Sequence, residues 1–576
     1  MPVLNWISST ENRLIACADS NKWFEPIEGE SFPVIPATLV RDLAISNGRT
    51  GSRRLPYAHP SPLLIRGALI TGELNLQGMT LSRTIWFENC RFDGFVHLSD
   101  CVAKTLSFTK SHLPKGLRAR RMQVKGSLFL NGGFVADDEV DLDDVSLDGN
   151  LECTGGTFNT APDRQCALTA IHARVGGSVN LNSDDRLGKF IARGKVTIDG
   201  ANIEGDLECA GGFFEKTFQA QGLSCRGLYL NNGFTGKGPV DFMGLFARGQ
   251  VSCRGGNFLH ECANWKEKED EDDFSLRLRF AEIGSGLLFD KAESGISDHP
   301  HAHATICGIL DLSHAKCVVY RDSRDSWPPP GKLQLDGFTY EHFHDCPTDW
   351  ETRRDWLKLQ QRDSTHGTFH PQPWTQTIKV LRDTGCDLDS RKLAICREVE
   401  LARSNRWTIS LERGALRKLF LNIPGLWNGF LRYAVGYGYE PWRALYWSLG
   451  FFAFGWLVFA TAANLGYMAP RESSVQIHLT DVPLNGSPKR HLPQEYPRFN
   501  APLYALDVYL PIIELGPDKA WEPSDVQIGH RRNTKDDGWT QFIRLVLGHD
   551  WTTTGVRAEK ARARSSQTEA YPAFAR

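Results

Sequence analysis

Nothing in this sequence advertises a cofactor. It has no Gly-x-Gly-x-x-Gly between a strand and a helix with a following acidic residue, no Walker pattern, no Cys-x-x-Cys and no haem-attachment motif. Dinucleotide, nucleotide-phosphate, dithiol and c-type haem chemistry are therefore left without their usual binding devices, and no cofactor is expected. An excess of one charge is missing too. The 66 Lys and Arg against 68 Asp and Glu give a net charge of -2, so the positive field that holds nucleic-acid phosphates is absent and no nucleic-acid partner is expected. Met1 to Arg13 lack a basic stretch, an apolar run and a small-residue cleavage site, which predicts that the bulk of the chain stays in the cytoplasm. Cysteine is sparse: 14 in 576 residues is too few for a disulfide scaffold, and most sit in apolar, strand-like positions that suit a reducing compartment.

What the sequence has in quantity is glycine, 53 residues, recurring at intervals instead of clustering as a flexible linker would. A pattern of turn residue, any, apolar, any, apolar is anchored at Gly72, Gly94, Gly126, Gly149, Gly177, Gly205, Arg226, Gly249, Ser285, Gly308 and Gly331. Most anchors are 21 to 28 residues apart, with two longer gaps that mark insertions. The position two after each anchor is always apolar, from Leu74 and Val96 to Leu310 and Leu333, and so is the position four after. Alternation of period two marks a short strand with one buried face. An echo follows in Asn131-Gly132-Gly133-Phe134, Gly155-Gly156-Thr157-Phe158, Gly211-Gly212-Phe213-Phe214, Asn232-Gly233-Phe234 and Gly255-Gly256-Asn257-Phe258, where small residues turn a corner and an aromatic returns to the core. One period cannot bury its own apolar face, but stacked periods can. The expected fold is mainly β: a β-solenoid, or β-helix, of about eleven coils with a period near 22, followed by a small α-helical segment and a transmembrane helix.

Cys153, Cys209 and Cys253 share one inward position on alternate coils. Two strand spacings, roughly 9.6 Å, are too far for a disulfide or a shared metal, so they are expected to be inert core residues. The run Lys266 to Asp273 is expected to be a solvated loop. The one concentration of histidine, His299, His301 and His303, with Cys307, His314 and Cys317 beyond, is the candidate metal set, although its spacing matches no zinc module.

After Thr348 the pattern becomes helical, with Pro371-Gln372-Pro373 separating two helices and a third running from Asp389 to Arg403. Ala444 to Leu465 holds no charged residue and is long enough to cross a bilayer, with Trp442, Arg443, Trp447 and Tyr467 as expected anchors at its ends. Arg413, Arg417, Lys418, Arg432 and Arg443 precede it, which predicts a cytoplasmic N-terminal side and a basic stretch resting on anionic headgroups. The expected organisation is a cap (1–62), the solenoid (63–345), a helical adaptor (346–410), a basic juxtamembrane stretch (411–443), the span (444–465), an extracytoplasmic loop (466–538) with an amphipathic segment near 499–515, and a C-terminal segment (539–576).

The segments Phe369-His370-Pro371-Gln372-Pro373-Trp374, Gly436-Tyr437-Gly438-Tyr439-Glu440-Pro441-Trp442-Arg443-Ala444-Leu445 and Leu503-Tyr504-Ala505-Leu506-Asp507, together with the coils, resemble a bacterial family of membrane-anchored repeat proteins loosely akin to pentapeptide-repeat proteins. Its members often carry the label "membrane-associated oxidoreductase". The resemblance implies a bacterial inner-membrane location with the solenoid in the cytoplasm, and partners in the bilayer and in an unidentified protein or ligand on the solenoid surface. The coils depart from that pattern in rarely showing Ala-Asp/Asn-Leu pentads, and where the resemblance implies a second membrane helix the 539–576 segment resembles an eroded one, Phe542 to Leu547 giving way to His549-Asp550-Trp551 and basic residues.

Three functions follow as expectations. The first is a membrane-anchored scaffold or sensor, with no enzymatic motif to suggest more. The second is the oxidoreductase that the label implies. The third is a membrane-perturbing or channel-like effector in which Asp507 and Glu514, on an apolar stretch broken by proline, dip into the bilayer as polar groups. A carbohydrate-active function would follow from β-helix analogy alone.

Overall fold

Short parallel strands stacked in register dominate the computed structural model, which describes residues 9–29, 31–45, 61–261, 273–292, 303–360, 369–411, 429–472, 496–510 and 515–523. The chain divides into two units, Met1–Leu421 and Asn422–Arg576. In the first, one turn of chain carries four short strands, for example Arg91–Phe92, Val96–His97, Val102–Ala103 and Leu106–Thr109, before His112–Leu113 begins the next level. The strands collect into two eleven-stranded parallel sheets and one of nineteen that takes in two sides of the coil. This is a four-sided parallel β-solenoid. Its inward residues alternate as the period-two rule requires: Leu113, Leu117, Ala119, Met122, Val124, Leu128 and Leu130 of one turn are all buried.

The column of apolar positions read from the sequence joins two different sides of the coil. Val96 pairs with Leu117, not Leu128, while Leu128 pairs with Leu106 and Leu151. At the far end Leu287 pairs with Tyr320, and Leu310 with Leu276 and Leu333. The 32-residue gap between Gly94 and Gly126 is therefore one coil plus two sides. All four sides present the same short alternation, so no local signal tells one side from the next.

Two corners of the coil need left-handed backbone. One runs through Asp100, Arg121, Asp144, His172, Phe280 and His314, each with φ between 54° and 59°, with glycine at the equivalent corners of other levels, such as Gly222 at 64°. Other glycines serve a different end. A Cβ on Gly94 would lie 2.1 Å from the backbone oxygen of Gly72 on the level below, so there it is the close approach of two coils that demands glycine. The interior is further tied by a file of phenylalanines, Phe134, Phe158, Phe190, Phe214, Phe234 and Phe258, whose ring centroids follow one another at 5.3 to 5.4 Å. Phe190 escaped the sequence pattern because its level turns through Asn182-Ser183 in place of a glycine pair, and the inserted turn around Asp184 and Gly188 sets the aromatic further along.

Both ends of the stack are covered. At the start, α1 (Ser9–Ser20) and α2 (Ala37–Ile45) precede the coils. Val34–Pro36 pairs with Leu69–Thr71, and α2 buries Ala37, Val40, Leu43 and Ala44. At the other end α3 (Trp350–Leu357), α4 (Gln372–Asp383) and α5 (Asp387–Leu411) pack together. Here the Pro-Gln-Pro segment has a visible task. Gln372 Oε1 accepts from Gly337 N at 2.9 Å, Gln376 donates to Tyr340 O at 2.6 Å, and Thr377 pairs with the Tyr340 hydroxyl at 2.8 Å. These side chains take up polar groups of the last coil, which would otherwise form an open edge.

In the second unit, α6 (Trp442–Asn464) follows a turn with positive φ at Gly436, Tyr437 and Gly438. Its C-terminal end packs on α7 (Ala501–Tyr509), and Met468–Pro470 pairs antiparallel with Trp521–Pro523. Ala462, Tyr467, Met468, Tyr504 and Trp521 form a small core there.

Candidate functional site

Among the described residues, the solenoid arranges charged side chains around a cavity. This cavity forms where the last coils meet α3, as a cleft of about 610 Å³. Along one wall, successive levels alternate in charge. Arg254 Nε donates to Asp290 Oδ1 at 2.7 Å, Asp290 Oδ2 lies 2.6 Å from Arg321 Nε, and Arg321 Nη1 donates to Asp345 Oδ2 at 3.1 Å. The middle contact is an ion pair rather than an aligned hydrogen bond, because the Arg321 Nε–H has no acceptor in line. Deeper in the wall, Asp322 is held by Arg353 through two bonds of 3.0 and 2.9 Å and by Trp327 Nε1 at 2.9 Å. Arg353 also lies 3.9 Å from the Phe343 ring centroid. Both side chains of this pair are buried, so the negative charge of Asp322 is matched inside the wall. Lys291 and Arg324 complete the cationic lining, with Arg324 donating to Thr352 Oγ1 at 2.9 Å.

The floor of the cleft is built by the chain leaving the strand Lys316–Asp322. Ser323 is extended, at φ -133° and ψ 157°, and opens a 3₁₀ turn over Arg324–Ser326 that Ser326 N closes onto Ser323 O at 3.0 Å. This turn aims the Ser323 hydroxyl at His303, whose Nδ1 is 2.9 Å from Ser323 Oγ. The buried Ser326 hydroxyl is 2.9 Å from the same oxygen. His303 is fixed by an antiparallel bridge to Lys291, and its Nε2 lies 3.4 Å from Asp325 Oδ2.

Of the metal candidates, His299 and His301 lie outside the described residues, and His303 has both ring nitrogens occupied. Among the described residues no group of three or more His, Cys, Asp or Glu could hold a metal ion. Cys153, Cys209 and Cys253 are fully buried and free, and Leu181 and Leu230 occupy the intervening levels. Burial pushes all three thiols up, which leaves them poor nucleophiles.

Of the residues expected to anchor the span, Trp442 and Trp447 are about half exposed, Arg443 pairs with Glu440, and Tyr467 is buried in the small core. Asp507 is drawn into a local turn. It accepts from Leu515 N at 2.7 Å and from Asp518 N at 3.1 Å, and these amides, that of Leu515 foremost, hold its carboxyl below the ordinary value. Glu514 lies outside the described residues, as do residues 266–272, 412–428 and 539–576.

No single segment of sequence points to the cleft, because its residues come from separate coils. The usable signal is the period: His303 and Ser323 are 20 residues apart, close to one turn of the solenoid. No family model matches the chain, and neither a curated protein nor a solved structure matches it.

Proposed function

We propose that this chain is a membrane-anchored repeat scaffold or sensor, which presents a solenoid of about eleven coils on the cytoplasmic face of a bacterial inner membrane. The proposal includes membership of the membrane-anchored repeat family that the Pro-Gln-Pro and Gly-Tyr-Gly-Tyr-x-Pro-Trp-Arg segments resemble. The observation that carries it is the surface of α6. Its 23 residues would span about 34 Å at ~1.5 Å each, enough for a hydrocarbon core of roughly 30 Å. Leu445, Tyr446, Leu449, Phe451, Phe454 and Leu457 are all exposed and spread over roughly two thirds of the helix circumference, far wider than a single stripe. A helix docking on protein needs one apolar stripe, whereas one apolar all round needs an apolar medium.

The basic residues before α6 support placing its N-terminal side in the cytoplasm. The commitment of Asp507 to backbone amides favours a folded extracytoplasmic element over a polar group lining a pore. Membranes from cells making the full chain test the proposal. The protein should stay in the pellet after alkaline carbonate, and protease should digest the solenoid in inverted vesicles but not in spheroplasts. Release by carbonate would remove the anchor. Digestion in spheroplasts would reverse the topology.

A further inference from the structure

The floor of the cleft holds more than a polar wall needs. A hydroxyl sits within hydrogen-bond reach of an imidazole, and a carboxylate faces the other ring nitrogen: Ser323 Oγ to His303 Nδ1 at 2.9 Å, His303 Nε2 to Asp325 Oδ2 at 3.4 Å. Ser323 and His303 line the cleft, and the largely exposed Asp325 stands beside the imidazole; a nucleophile and a base with a group that orients the base is the minimum arrangement for covalent catalysis by serine. We infer that Ser323, His303 and Asp325 act as a nucleophilic relay that hydrolyses esters bearing an anionic group.

The relay needs the tautomer with the proton on Nε2. The Asp325 carboxylate, 3.4 Å away, favours a proton there electrostatically, and Nδ1 is then the acceptor for the Ser323 hydroxyl. The ring nitrogens are used in the opposite sense to the familiar serine triad, which is chemically equivalent because either imidazole nitrogen serves as base when the other carries the proton. The Ser326 hydroxyl can donate to Ser323 Oγ, which leaves the Ser323 proton directed at His303. In the first step Ser323 Oγ bonds to the ester carbonyl carbon as its proton passes to Nδ1. The carbon–alkoxy bond then breaks and the alcohol leaves with that proton. In the second step water adds to the acyl-serine, giving one proton to Nδ1. The Oγ–acyl bond breaks, the carboxylic acid departs and the proton returns to Oγ. Ester and water are consumed, and acid and alcohol are formed, with no oxidant or reductant.

The substrate class follows from the lining. Asp322 is matched by Arg353 within the wall, and Asp290 and Asp345 are engaged by Arg254 and Arg321. Lys291 remains to receive a carboxylate or phosphate on the substrate, beside the half-exposed Arg324, which also donates to Thr352 and lies 3.6 Å from Asp355 Oδ2. This activity neither requires the membrane proposal nor supports it.

The test uses the full chain in detergent with a fluorophosphonate probe, which reacts with activated serines, and peptide mapping of the adduct. The expected result is an adduct on Ser323. It should be absent from Ser323→Ala and formed at least about 100-fold more slowly in His303→Gln, with both variants keeping the far-ultraviolet β spectrum of the parent. Hydrolysis of mono(4-nitrophenyl) succinate should outpace that of 4-nitrophenyl acetate, and Lys291→Ala should narrow that preference. An unlabelled Ser323 in the folded parent, or labelling that His303→Gln leaves unchanged, overturns the relay. Equal rates on the two esters overturn the anionic substrate class.

Discussion

At the scale of single residues, the solenoid uses glycine for two separable reasons, and substitution tells them apart. Gly222 has open space where a Cβ would go but a φ of 64°, so Gly222→Ala should cost only the left-handed penalty, about 1 to 2 kcal/mol. At Gly94 an added Cβ would lie 2.1 Å from the backbone of the preceding coil. Neither partner can rotate away, and Gly94→Ala should cost more than Gly222→Ala, upward of about 2 kcal/mol, as over-packing against rigid neighbours does. Chemical denaturation of the two variants, compared for midpoint at unchanged slope, checks the order. The Arg353–Asp322 pair makes a second case. With both side chains buried, Arg353→Ala strands a carboxylate in the wall and should destabilise by about 3 to 5 kcal/mol. Double replacement by apolar residues of similar volume should recover much of that loss in the same assay.

At the scale of elements, what could be read from the sequence depended on whether the signal was local. Strand alternation, the glycine corners and the apolar run before Leu465 are written in neighbouring residues, and the structure contains each of them. Which side of the coil a strand occupies is not local, so the apolar column slipped from the side of Val96 to that of Leu128. The cleft was invisible for a related reason. Arg254, Asp290 and Arg321 belong to successive levels separated by insertions, and only the finished register places them together. His303 stood out as a metal candidate because histidines cluster in its segment, whereas its neighbour in space, Ser323, lies one level further along.

The turn that ends α7 permits a test with pH. Hydrogen bonds from the Leu515 and Asp518 amides depress the Asp507 carboxyl. Its stabilising contribution is therefore complete above the ordinary carboxylate pKa and is lost as pH falls through the lower folded value. The melting-temperature gap between the parent and Asp507→Asn should be widest near neutral pH and should shrink on acidification. A gap that holds constant into acid would assign the effect to shape instead of charge.

At the scale of the whole solenoid, each strand is bonded only to the levels above and below it, for example Leu151 to Leu128 on one side and Val179 on the other. Stability is then shared between neighbours instead of residing in one central core. Insertions such as the one before Asp273 lengthen a level without disturbing the register on either side, since Val240 still pairs with Leu276 across 36 residues.

The way Gln372, Gln376 and Thr377 hold the last coil has a mechanical meaning. Under tension applied at the two ends of this unit, the inner levels are clamped on both faces, so rupture has to begin at an end, where the helical cover is the latch. Once it opens, the levels should peel away singly, each releasing about 75 Å of contour for a turn near 22 residues. An optical trap should therefore record a staircase of that step size, with one larger first event that Gln372→Ala makes smaller.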